Sequence, residues 1–94
     1  MKAKAIVIRR AHKADILDIW HLFHAEGIAL SVGDVEERLD NCYVVERGTK
    51  VLGAYNHSDG QQPELIAVHP LYPQKVVEDI MIKVVNNLLD KVFA

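Results

Sequence analysis

The stretch LIAVHPLYPQKVVEDIMIKVV, from Leu65 to Val85, runs from an apolar strand through a His-Pro pair into a helix. A helix start carries unpaired N–H donors and a partial positive charge, so this junction is where a phosphate could be held. His21 and His24 stand three apart with Glu26 nearby, which offers two imidazoles to a metal ion. No third ligand follows at a convincing spacing, so a solvent-facing histidine pair is the simpler reading and no metal is expected. His57 and Asp59, in the polar run HSDGQQ, could orient a substrate, although residues of these types also simply make turns. Cys42, the sole cysteine, has no evident base partner and reads as a small buried residue rather than a nucleophile.

The elements that must position these residues follow from periodicity and punctuation. Ala5 to Arg10 is rich in β-branched residues and reads as a first strand. Asp15 is expected to cap a helix to about Glu26, in which Ile16, Ile19, Trp20 and Phe23 recur at helical spacing until Gly27 ends the pattern. Asp34 with Glu37 predicts a capping box for a second, short helix. CYVVER and KVLGAY flank Gly48-Thr49 and predict a hairpin, and the run from His57 to Gln62 a loop. Pro63 and Pro70 bracket a strand, ELIAVH. Pro73 suits a helix first turn, and Val77, Met81, Val84, Val85, Leu88 and Val92 make one apolar stripe along the helix beyond it.

Composition limits what such a chain can do. Its 94 residues suffice for one domain, 1–94, and half of them are apolar, too many for a disordered chain. A formal net charge of -2, with no long Lys/Arg run, offers no field for nucleic acid. The apolar run Ala5 to Ile8 is too short for a signal-peptide core, so no membrane contact is expected. A single cysteine leaves no internal disulfide and fits a reducing cytoplasm.

Taken in order, IVIRRAHKADILDIWHLF, YVVERGTKVLGAY and ELIAVHPLY resemble three parts of the GNAT superfamily of N-acetyltransferases: opening strand and helix, hairpin, and the strand before the cofactor loop. The N-acetylglutamate synthase-like branch is nearest in pattern. The resemblance spans most of the chain and rests on the order of the pieces. It implies an α+β fold truncated on its C-terminal side, with a mainly antiparallel sheet of four strands packed by two main helices and one short helix. It also implies acetyl transfer from acetyl-CoA to a primary amine. In this family a strand ending in Val-His-Pro exposes backbone to the pantetheine arm, and a loop R/Q-x-x-G-x-G/A turns N–H groups onto the pyrophosphate. Carried over, the backbone of Val68 and the segment Gln74, Lys75, Val76 and Val77 are the cofactor-binding residues. Glu64 is the expected general base and Tyr72 the residue expected to reach the thiolate leaving group; a solvated strand-end carboxylate and a packed ring are their plainer roles.

Three departures from that loop bear on its chemistry. Pro73 brings no N–H, Val76 puts a branched side chain where the family has glycine, and Glu78 is expected to place a carboxylate in the first helical turn. At an effective dielectric of about 20, two unit charges about 4 Å apart repel by roughly 4 kcal/mol, which Lys75 would partly offset. The strand from 64 to 69 has no fifth strand after it, so its open edge is expected to take a homodimer contact or a partner chain. A competing reading keeps the fold and drops catalysis: a GNAT-derived module for protein association or ligand binding.

Overall fold

A computed structural model describes residues 6–57 and 63–93 of the chain. The elements are β1 (Ile6–Arg10), α1 (Ile16–Ala25), α2 (Val32–Arg38), β2 (Cys42–Arg47), β3 (Lys50–His57), β4 (Pro63–Val68) and α3 (Gln74–Phe93), with 3-10 turns at Lys13–Asp15 and Leu39–Asn41. The strands form one antiparallel sheet in the order β1-β2-β3-β4. The fold is therefore α+β, as the element order predicts. Asp59 and the rest of the 58–62 loop lie outside the described residues.

Side chains alternate across the strands and supply a core on each face. On one face Val44, Val51, Ala54 and Ala67 pack against Ile19, Leu22 and Phe23 of α1 and Val35 of α2. On the other, Tyr43, Val45, Leu52 and Tyr55 meet Met81 and Val85 of α3. The helices thus enclose the sheet, and Val77, Met81, Val85 and Leu88 of the α3 stripe pack into the core. Gly53 lets α3 come close: a Cβ there would lie 3.1 Å from Met81 Sδ and 3.2 Å from the Ala67 carbonyl oxygen.

Turn chemistry sets the helix and hairpin ends. Gly27 ends α1 in the left-handed region at φ 79°, and the Ile28 N–H donates back to the Phe23 carbonyl at 2.9 Å. Gly48 takes φ 65° in the turn that joins Arg47 to Lys50.

Two cap expectations are corrected. The short helix is capped by Ser31, whose Oγ accepts from the Asp34 N–H at 3.0 Å while Asp34 accepts from the Ser31 N–H at 2.9 Å. Asp34 is the third helical residue, because a serine three positions earlier completes the reciprocal pair. Asp15 precedes α1 but gives it no side-chain cap. Its carboxylate instead accepts two hydrogen bonds from the Arg9 guanidinium, at 2.8 and 3.0 Å, and one from the His12 N–H at 2.7 Å. Arg9 also reaches Glu46 at 2.8 Å, so one guanidinium ties β1, the start of α1 and β2 together.

Candidate functional site

The junction after β4 is built by two backbone features. The His69 N–H donates to the Leu52 carbonyl at 2.7 Å, so position 69 faces β3. In an antiparallel pair the N–H and C=O of one residue point the same way and alternate along the strand. The N–H and C=O of Val68 and Ile66 therefore point to the outer edge of β4, where no strand lies among the described residues. The Val68 side chain is buried, so this residue offers its backbone alone.

Beyond β4 the chain turns within a few residues. The Leu71 N–H donates to His69 Nδ1 at 3.2 Å, and the Tyr72 N–H to the His69 carbonyl at 3.0 Å. The rings of His69 and Tyr72 meet edge-on at 5.8 Å, and Tyr72 packs against the α3-side core. α3 then begins at Gln74, and the first helical bond joins the Val77 N–H to the Pro73 carbonyl at 3.1 Å. Gln74, Lys75 and Val76 thus hold the N–H groups for which a helix start has no internal acceptor.

The segment from Gln74 to Val77 is accordingly a helical turn rather than a loop. Pro73 costs nothing there, because the residue before a helix has no intrahelical acceptor for its N–H. Glu78 falls in the second turn, and the first turn contains no acidic residue. Glu78 is therefore not in the first turn, contrary to expectation, since α3 starts earlier than its apolar stripe suggests. A different carboxylate stands nearby: Glu26, at the end of α1, accepts a hydrogen bond from Gln74 Nε2 at 3.0 Å. Lys75 is exposed, and Val76 is 57 % exposed. Backbone N–H donors at a helix start and a nearby lysine are the kind of groups a phosphate-bearing ligand takes.

Glu64 stands at the opposite end of β4. Asn56 pairs with Leu65 and His57 with Pro63, so Glu64 is the extra residue of a β-bulge. Bulges re-aim a side chain and are frequent beside active sites. Glu64 Oε1 lies 3.0 Å from Arg38 Nη1, and the same nitrogen reaches Asn56 Oδ1 at 2.9 Å. The strand rise puts Glu64 about 13 Å from Val68, at the other end of β4 from the turn that carries Tyr72. The pairings of Arg38 with Glu64 and of Glu26 with Gln74 are not foreseeable from the sequence, because no local pattern couples them to β4 or α3.

The remaining candidates have structural surroundings. His24 stacks on Trp20 at 5.2 Å and His21 meets the same ring edge-on at 4.9 Å. No group of three or more His, Cys, Asp or Glu is placed to hold a metal among the described residues. Cys42 is buried, and burial pushes its thiol up to about 11, so it stays protonated at neutral pH. No helix among the described residues is long and apolar enough to cross a membrane.

The chain has a GNAT-like fold. It superposes with a TM-score of 0.73 on N-acetylglutamate synthase from Neisseria gonorrhoeae, in a complex with coenzyme A and N-acetyl-glutamate, over 96% of its own length. The two are 19% identical, so the likeness is one of fold and does not select a branch. The chain spans 23% of the synthase chain. No protein-family profile matches the sequence, and no curated protein is significantly similar to it.

Proposed function

We propose that the chain is a GNAT-like N-acetyltransferase domain that transfers an acetyl group from acetyl-CoA to a primary amine. One observation carries the reading: on a GNAT-like fold, the outward backbone of Val68 leads into a helical turn whose amides at 74–76 are the expected pyrophosphate donors. Val68 would hold the pantetheine arm, and Gln74, Lys75, Val76 and Val77 the diphosphate. Acetyl-CoA, when bound, supplies an acyl thioester. Glu64, at the far end of β4, would draw the proton from the amine through a relay rather than by direct contact, as the amine nitrogen bonds to the acyl carbon and the C–S bond breaks. The Tyr72 hydroxyl gives a proton to the departing sulfur, and that proton is later replaced from solvent. Arg38 fixes the Glu64 carboxylate on its bulge.

Calorimetric titration of coenzyme A into the full chain tests the reading. Saturable heat is expected, weakened several-fold by Lys75→Glu, and Glu64→Gln should lower acetylation of an amine panel while leaving coenzyme A affinity unchanged. No heat at millimolar coenzyme A would sink it. The second reading, a non-catalytic GNAT-derived module, is favoured by Val76 in place of glycine and by the open edge of β4. That edge suits a homodimer or a partner chain, because its outward N–H and C=O groups are those of a strand awaiting a neighbour.

A further inference from the structure

Between α1 and the turn from β2 to β3 lies a cavity of about 410 Å³, ended by His69 and Pro70. Val68, Tyr72 and the first turn of α3 do not line it, so it is distinct from the proposed coenzyme A site. Its floor is apolar, made by Leu22 and Val51. Its two walls carry opposite charges, Asp18 from α1 and Lys50 from the start of β3. Both residues are exposed, and neither has an ion-pair partner among the described residues, whereas Arg9, Asp15, Arg38, Glu46 and Glu64 are all paired. His69 adds an oriented donor: Nδ1 accepts from the Leu71 N–H, which leaves the ring proton on Nε2.

We propose that this cavity binds a small zwitterion, an α- or ω-amino acid, with its ammonium at Asp18 and its carboxylate at Lys50 and His69. The volume lies in the range of small-molecule sites, which combine an apolar lining with a few placed polar groups. A methylene chain between the ligand's charged ends suits the floor of Leu22 and Val51. Opposed walls of unlike sign favour a molecule with both charges over one with either alone, since a single-charge ligand meets one favourable and one unfavourable wall. An ammonium held by Asp18 keeps its proton and has no lone pair with which to attack an acyl group. Glu64, five residues from His69 along the strand, is about 16 Å away. The ligand is therefore recognised and not acetylated, and the inference stands or falls independently of acyl transfer.

NMR titration of the intact chain with glycine, γ-aminobutyrate and 6-aminohexanoate, beside hexanoate and hexylammonium, tests this. At least one zwitterion should saturate shifts in α1 and the β2–β3 turn, tenfold or more tighter than both single-charge probes. Asp18→Asn should erase the advantage over hexanoate, and Lys50→Gln the advantage over hexylammonium; both positions are exposed, so both variants keep the fold. Absence of saturation by any zwitterion, equal binding of hexanoate or hexylammonium, or selectivity that survives both substitutions would overturn the assignment. Coenzyme A added to the same samples reads the α3 turn separately, so loss of one site is distinguishable from loss of the other.

Discussion

At the scale of single residues, Asp15 shows how a side chain suited to a helix cap is diverted to a stronger partner. The bidentate Arg9 contact and the His12 N–H hold its carboxyl below the usual carboxylate range. In the pH window between the folded and unfolded values, the unfolded chain binds the extra proton, so stability rises with pH there. The contribution is complete above about pH 4 and is lost as pH falls through the depressed folded value. Urea midpoints should therefore drop on acidification below about pH 4. Asp15→Asn should lower stability at pH 7 by about 2 kcal/mol and flatten that acid limb, because the residue is 5 % exposed and Arg9 would keep Glu46 as its one carboxylate partner among the described residues. An acid limb as steep in the variant as in the parent chain would refute this account. Tyr55 is the opposite case: its hydroxyl is buried with no hydrogen-bond partner among the described residues, and burial raises its pKa.

At the scale of elements, the seat of α3 on the sheet depends on Gly53. Alanine there would cut the entropy of the unfolded chain, a gain of about 0.4–1 kcal/mol where backbone and space permit. Space does not permit it, since the new Cβ would press on Met81 Sδ and on the Ala67 carbonyl, which belongs to the paired backbone of β4. Overpacking of this kind costs about 1–3 kcal/mol, so Gly53→Ala should be net destabilising by about 1 kcal/mol in denaturant unfolding. A variant more stable than the parent would show that the methionine yields freely. The bulge at Leu52 belongs to the same region: Val45 pairs with Gly53 and Glu46 with Val51, and Leu52, the extra residue, supplies the carbonyl that anchors His69. Irregularity in β3 thus sets the aim of the junction after β4.

At the scale of the whole molecule, β4 is an edge strand with no neighbour on its outer side among the described residues. Leu71, just beyond β4 in the chain, is 81 % exposed, and Val76 and Ile80 on α3 are exposed as well. An edge of this kind is a template for another strand, and a second copy of the chain can supply one. Light scattering after gel filtration should give twice the monomer mass at micromolar concentration. A monodisperse monomer across that range would remove the homodimer and leave the edge to a different chain.

Local pattern alone determined much of this protein. The span of α1 with its stop at Gly27, the hairpin around Gly48, the strand between two prolines and the apolar face of α3 each depend on residues a few positions apart. The Val68-His69-Pro70 junction was legible for the same reason, since a strand end followed by a helix start is a local event. Tertiary structure alone decided the rest. Arg9 took Asp15 from its cap, Arg38 reached Glu64, Glu26 met Gln74, and two bulges shifted register. Asp18 and Lys50 came to line one cavity only because α1 packs near the start of β3. Such pairings join residues far apart in sequence, and what selects them is close packing and hydrogen-bond satisfaction in the folded chain, which no window of neighbouring residues contains.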